Sequence, residues 1–259
     1  MSNYWQDRQA KSLTKLSNKS QKAIDAQLRK YYKKAMNTTI NSFSETYIKI
    51  LDTLEEGKTP TPADLYKLDT YWQMEGQLKR ELEKLGAKQI KALSSAFELN
   101  FFDIYHSIAL EGLPAFNTVD SSIAQQIINS IWCADGKSWS ARIWENTSRL
   151  ADTLNEGLID CLITGKKTTE LKNVLQERFN VSYGRADALV RTELAHIQTE
   201  AAKKRYEDYG VQRVQIWADE DERRCKECGK LHEKIYNLGE AIPIPAHPKC
   251  RCCIIPIVD

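Results

Sequence analysis

Apolar residues recur at three- and four-residue steps along most of the chain, the spacing that lays one stripe along an α-helix. From about Ser20 to Glu56, Ile24, Leu28, Tyr31 and Ala35 keep such a stripe; after a slip in register, Ile40, Phe43, Tyr47, Ile50 and Leu54 resume it. The slip predicts either a break near Asn37-Thr38-Thr39 or coiled-coil-like packing, with Gly57 and Pro60 as the stop. Thr61-Pro62-Ala63-Asp64 then reads as a helix start: a capping hydroxyl, a proline at the first helical position and an acid in the first turn. Leu65, Leu68, Trp72, Leu78, Leu82 and Leu85 supply the apolar face of that helix, which is expected to end near Gly86. A third helix, Ala87 to about Glu111, carries Ile90, Leu93, Phe97, Phe101, Ile104 and Ile108 and closes at Gly112 and Pro114.

The pattern continues after Asp120, a plausible N-cap, through Ile123, Ile127 and Ile131 to a turn at Ala134-Asp135-Gly136. Ser140 to Thr164 predicts a longer helix (Ile143, Thr147, Leu150, Leu154, Leu158, Cys161) ended by Gly165. Thr169 to Phe179 predicts a short one, and Ser182 caps the next, which runs with Ala186, Leu189, Val190, Leu194, Ile197 and Ala201 up to Gly210. There the period changes: Val211 to Trp217 alternates and is β-branched, hence a strand, with Lys234–Tyr236 and Cys252–Val258 as further short strands. The expected fold is mainly α, an elongated helical body with a small C-terminal α+β module stapled by zinc. Its expected parts are an N-terminal helical region with a basic arm (1–118) and a second region (119–259) that includes the module (211–259). No Gly/Ser/Pro-rich linker separates the helical blocks, so they are expected to pack together.

Composition narrows this. At 42% hydrophobic and 28% charged, the 259 residues suit a folded globular chain and not a disordered one. No apolar run approaches the roughly 20 residues needed to cross a bilayer, so no membrane partner is expected. The N-terminus shows no basic segment followed by an apolar one, and synthesis inside the cell is the expectation. The net charge of +2 hides a polarity: residues 1–40 carry +7 (Arg8, Lys11, Lys15, Lys19, Lys22, Arg29, Lys30, Lys33 and Lys34 against Asp7 and Asp25). Such an arm suits DNA phosphates or an acidic protein surface, or is simply a solvated helix face.

Five of the seven cysteines crowd into the last 35 residues, which favours metal over a disulfide framework; Cys133 and Cys161 read as small buried apolar residues. Cys225-Lys-Glu-Cys228 is followed after 18 residues by His247-Pro-Lys-Cys250-Arg-Cys252-Cys253. Two thiolates spaced by two residues can reach one ion, and His247 with Cys250 forms a second claw of the same span. Cys225, Cys228, His247 and Cys250 are therefore the candidate ligands of a structural Zn²⁺, which favours closed four-coordinate N/S sites. Cys252 would lie on the same side of a strand as Cys250 and can replace Cys250 or His247; Cys253 points the other way and packs. His232 is a weaker candidate. Such an ion can add roughly 10–16 kcal/mol of apparent folding free energy to a piece with little core of its own. A redox role for Cys225 and Cys228 is disfavoured by the preceding Asp219-Glu-Asp-Glu222, which raises thiol pKa values unless a metal offsets it.

The run Arg191-Thr-Glu193, Tyr206, Gly210, Trp217, Asp221, Arg223, Cys225-x-x-Cys228, Leu231 and His247-Pro-Lys-Cys250-Arg-Cys252 resembles the phage head morphogenesis domain of Mu F-like minor capsid proteins, over roughly residues 120–259. Tyr4-Trp5 and the basic helix after it resemble the start of minor head proteins from phages of Gram-positive bacteria. This chain departs from the commoner pattern at Arg224, where Thr is usual, and in its extra Cys253. The resemblance implies a virion protein inside the head near the portal, assembled in the cytoplasm of a bacterial host. It implies portal, capsid and scaffold proteins as partners, with packaged DNA as a further contact through the basic N-terminal helix, and no small-molecule substrate. Residues 211–259 hold eight basic and eight acidic residues, a balance that argues against the module reading DNA.

Two enzymatic readings compete with this non-enzymatic one. A zinc-stapled nuclease would use His247 as general base and Asp219 or Asp221 for a catalytic Mg²⁺, but a closed Cys₃His site lacks the open position hydrolysis needs. An ADP-ribosyltransferase-like site would centre on Arg191-Thr-Glu193. Those residues sit in a helical pattern, and an ion pair holding that helix against the zinc module is the expected role.

Overall fold

The computed structural model describes residues 4–53, 60–110, 118–218 and 224–257. Among them are α1 (Tyr4–Thr53), α2 (Pro62–Leu65), α3 (Asp69–Ser107), α4 (Ser121–Ile128), α5 (Trp139–Ile163), α6 (Thr168–Asp208), β1 (Arg213–Trp217), α7 (Lys226–Leu231), β2 (Ile235–Asn237) and β3 (Cys253–Ile257). The protein is mainly helical with a small C-terminal sheet. The expected stops at Gly57, Gly112 and Pro114 and the carboxylates Asp219 and Asp221 lie outside the described residues.

Three helices are longer than the pattern predicts, and each for the same reason. Instead of breaking at Asn37–Thr39, α1 is continuous because its buried seam runs Ile24, Leu28, Tyr32, Ala35, Thr39, Phe43, Tyr47 and Ile50. Tyr32 is the inward residue, not Tyr31, and the buried Thr39 fills the apparent gap. In α3 the seam passes Gly86 through Tyr71, Met74, Leu78, Leu82, Leu85, Gln89, Leu93 and Phe97, while Trp72 is half exposed. Gly86 is no stop; a Cβ there would stand 2.5 Å from the Trp144 ring, so the glycine permits close approach. Ser182 is no cap either: α6 runs through it, and the residue is buried between Phe179 and Ala186. Its hydroxyl lies 3.2 Å from the Tyr32 hydroxyl, and its carbonyl accepts from Asn146 Nδ2 at 2.9 Å. These contacts give the buried Ser182 its partners.

Several starts and stops are as expected. Thr61 and Asp64 form a reciprocal capping box at α2, and Asp120 caps α4 through Ser122 N–H. At the end of α5, Lys166 N–H reaches Cys161 O and Gly165 N–H reaches Leu162 O, with Gly165 at φ +62. At the end of α6, Val211 N–H reaches Tyr206 O and Gly210 N–H reaches Glu207 O, with Gly210 at φ +72. Both are Schellman closures, which a left-handed glycine makes possible. Cys161 is buried as expected, whereas Cys133 is only half-buried in the turn that precedes α5.

The chain divides into two compact units, each drawn from non-contiguous segments on both sides of residue 118. One unit comprises residues 26–91 and 140–186. Its core is a single apolar cluster including Phe43, Tyr47, Leu82, Leu154, Leu158 and Phe179. The other comprises residues 1–25, 92–139 and 187–259 and contains the sheet, ordered β2-β1-β3 and antiparallel throughout. Val214 and Ile216 of β1 are buried, and β3 is buried almost along its length. Pro256 is tolerated because β3 pairs on one side only, with β1.

The sheet is fixed to the end of α6. Tyr206, fully buried, donates its hydroxyl to Ile254 O at 3.1 Å and accepts from Gln9 Nε2 at 2.9 Å. Arg205, 2% exposed, lies over the rings of Tyr105 and Tyr209 and donates to Ile108 O at 3.3 Å and to the Tyr209 hydroxyl at 2.6 Å. A cation at this place also faces the negative end of the α6 dipole.

Alanine at position 86 should destabilise the protein by about 1–3 kcal/mol through the clash with Trp144, although alanine normally improves a helix interior. In a Trp144→Ala background the same change should raise the denaturation midpoint, a sign reversal readable in urea titrations.

Candidate metal centre

The register that sets Trp217 opposite Cys253 brings the residues just past β1 and just before β3 to one end of the sheet. Two turns deliver the donor atoms there. The first is the start of α7, where Cys225 is the N-cap and its sulfur accepts Cys228 N–H at 3.3 Å. The second is the turn from His247 to Cys250, closed by Cys250 N–H to His247 O at 3.1 Å. Pro248 holds its second position and Lys249, at φ +63, its third, the pattern of a type II turn with a side chain where glycine is usual. That strain is held by α6: Lys249 N–H donates to Thr192 Oγ1 at 3.1 Å, and Lys249 Nζ lies 3.8 Å from Asp187.

The donors converge. His247 Nε2 is 3.2 Å from Cys225 Sγ and 3.0 Å from Cys228 Sγ, and Cys228 Sγ is 3.8 Å from Cys250 Sγ. Cys225, Cys228 and His247 form one group with donor atoms within 4.8 Å of one another, and Cys228, Cys250 and Cys252 form a second that shares Cys228. A tetrahedral zinc would set sulfur–sulfur edges of about 3.8 Å and sulfur–nitrogen edges of about 3.5 Å. The first matches; the second is longer by a few tenths, as expected where thiol and imidazole are hydrogen-bonded. A cavity of about 30 Å³ at the cluster, lined by Cys225, Cys228, His247 and Cys252 among others, is about one water's share of liquid volume. Cys228, Cys250 and Cys252 are each at most 5% exposed. By softness and geometry the donor set fits zinc.

Proton affinities in the cluster are pushed apart. The Cys228 N–H, then the Cys228 thiol and His247, hold the Cys225 thiol below its usual range, whereas burial pushes Cys228 up to about 12. The Cys252 thiol, bonded to the Cys250 sulfur, brings Cys250 down to about 5 and is itself raised by that bond. His247 Nδ1 stands 2.8 Å from Pro248 O, so that carbonyl fixes the tautomer with Nδ1 as donor and leaves Nε2 facing the sulfurs. It is also the main reason, followed by the nearby sulfurs, that the imidazole holds its proton more tightly than usual.

The four ligand candidates from the sequence lie at this end of the sheet in two groups joined at Cys228, with Cys225 and His247 on one side and Cys250, accompanied by Cys252, on the other; Cys225, Cys228, His247 and Cys252 line the small cavity, and Cys250 does not. Cys253 points into the core, buried beside Tyr206. His232 is turned elsewhere: its Nδ1 accepts Ala218 N–H at 3.2 Å and its ring meets Trp217 edge-on. With Nδ1 on a carbonyl and Nε2 on sulfur, His247 is poorly placed as a general base.

Arg191-Thr-Glu193 does tie α6 to this loop, though through different atoms from those expected. Arg191 pairs along its own helix with Asp187 at 3.0 Å, and the link to the loop runs from Thr192 and Asp187 to Lys249. Glu193, 2% exposed, accepts from Trp132 Nε1 at 2.9 Å. The Trp132 ring stacks on His196 at 4.4 Å. No spacing in the sequence signals these partners, because Trp132 follows α4 and lies 61 residues from Glu193.

Residues 152–255, which contain the whole donor cluster, match the model of the family described as Phage Mu protein F like protein. This part of the chain is therefore Mu F-like, and the likeness to phage head morphogenesis proteins read from its motifs holds. Among curated proteins, the chain is similar to an NAD(+)–arginine ADP-ribosyltransferase, EFV, of Enterococcus faecalis, at 26% identity over 144 residues. That alignment covers 48% of this chain and 29% of the relative, so the chain spans less than a third of that protein. No solved structure matches the chain.

Burial pushes His196 down to about 4, and its Nε2 has no partner among the described residues. An unfolded imidazole protonates near 6.5, so as pH falls from 7 towards 4 the unfolded state binds the proton first and stability drops, by on the order of 3 kcal/mol. Urea unfolding across that range should show the loss, and His196→Phe should flatten it. Replacing Glu193 by Leu should cost about 1–3 kcal/mol by leaving the Trp132 indole unpaired.

Proposed function

We propose that the protein is a minor capsid protein acting in procapsid assembly at or near the portal, without enzymatic activity, and that one structural zinc ion staples its C-terminal module. The observation that carries the reading is the coincidence of two features in one stretch: the Mu F-like segment spans the sulfur–imidazole cluster. Cys225, Cys228 and His247 supply three ligands, and Cys250 or Cys252 the fourth. The closed donor set suits a structural ion and leaves no position for a substrate. The partners are portal, capsid and scaffold proteins. Packaged DNA is a further contact, through Arg8, Lys11, Lys15, Lys19 and Lys22, which recur at three- and four-residue steps and are all exposed on α1. The protein would reside in the virion after assembly in the host cytoplasm. Against the nuclease reading, the ADP-ribosyltransferase relative lends no support to DNA cleavage, and the geometry of His247 disfavours its use as a base.

Incubated with the portal protein of its own phage, the full chain should form a stoichiometric complex and be found in purified virions. Absence from virions together with failure to associate under all assembly conditions would sink the head-protein reading. Turnover of NAD⁺ by the purified chain would contradict the non-enzymatic part of it. For the staple, about one zinc per chain is expected. Chelation should lower the melting temperature, as should Cys228→Ser, whereas Cys253→Ser should leave the zinc content unchanged.

A further inference from the structure

A second and larger cavity, of about 110 Å³, lies against the Lys249–Cys252 segment. Its other walls come from α1 (including Ser17, Asn18 and Gln21) and from α6 (including Arg191 and Gln198), all within the unit that holds the sheet. Three cations, Arg191, Lys249 and Arg251, line it, and among the described residues no carboxylate does, although Asp187 pairs with Arg191 and Lys249. Gln198 is 4% exposed, and its amide makes no hydrogen bond to another described residue. A buried amide in that position calls for a partner in the cavity.

Arg191 is held ready. Its Nε donates to Asp187, 3.0 Å from both carboxylate oxygens, and the Gln21 amide oxygen, turned towards the guanidinium, accepts from Nη2 at 2.8 Å. A guanidinium fixed by its neighbours loses little freedom on meeting an anion. Donors that approach from three separate elements suit a tetrahedral oxyanion better than a planar carboxylate. We propose that this cavity binds a phosphate group, either free or at the end of a monoester. Lys249 and Arg251 also line the cavity at the sulfur cluster; Arg191 and Gln198 do not, and the proposal stands on those two. It does not depend on the head-protein reading.

The test is a calorimetric titration of inorganic phosphate, and separately of phenyl phosphate, into the full metal-replete chain at ionic strength fixed with chloride. Saturable one-to-one binding is expected, weakened about tenfold or more both by Arg191→Gln and by Gln198→Leu, the second of which leaves the net charge unchanged. Binding of inorganic phosphate alone identifies the free ion as occupant; binding of both identifies a monoester end. If circular dichroism shows Gln198→Leu unfolded, Asn18→Leu on the exposed α1 rim makes the same charge-neutral test. No saturable heat, or an affinity in Arg191→Gln or in the charge-neutral variant that is unchanged from the unsubstituted chain, would overturn the proposal and leave the cavity as a water site.

Discussion

Thiols in a nearly dry pocket resist ionisation, because burial penalises their charged form. Around the end of the sheet, three buried cysteines and one half-buried one cluster, two of them beside the His247 imidazole, and burial together with sulfur–sulfur hydrogen bonds drives their proton affinities far apart. A soft cation placed among them would relieve that conflict at once. It would also link the start of α7 to the turn ahead of β3, two segments that the sheet itself leaves unjoined. The three short strands bury too little by themselves to fix such loops, so the arrangement of donors governs how the module can be held.

The rest of that unit serves to aim the donors. The Schellman closure at Gly210 turns the chain out of α6 and into β1, and Tyr206, one turn earlier, ties α6 to β3 through Ile254 O. Arg205 anchors the same turn of helix to Ile108. About four and five turns upstream, Thr192 and Asp187 grip Lys249 and hold it in its left-handed conformation within the His247–Cys250 turn. One helix thus positions both the sheet and one of the two claws, which explains why its sequence carries motif residues far from any sulfur.

Much of this was legible from residue type and spacing. Cys225, Cys228, His247 and Cys250 announced themselves because ligand chemistry needs those atoms at short spacing, and Cys252 entered as a substitute for the same reason. Caps at Thr61 and Asp120, and stops at Gly165 and Gly210, were legible because they rest on local backbone geometry. Helix continuity was not. Thr39, Gln89 and Ser182 sit in buried seams, and a polar residue in a seam looks like a gap unless its partner is known. Gly86 looked like a stop because its reason, the Trp144 ring, is 58 residues away. The grip of Thr192 on Lys249 and the Glu193–Trp132 bond were equally hidden, since both join segments far apart in the chain.

Tertiary partners therefore correct the helices, while the zinc proposed for the sulfur–imidazole cluster rests on local motifs. X-ray absorption at the zinc edge, on freshly purified reduced protein, tests it most directly. The account predicts one zinc with a sulfur-dominated shell at about 2.3 Å and a single imidazole. A shell dominated by oxygen, or protein that folds and stays folded with no bound zinc, would contradict it.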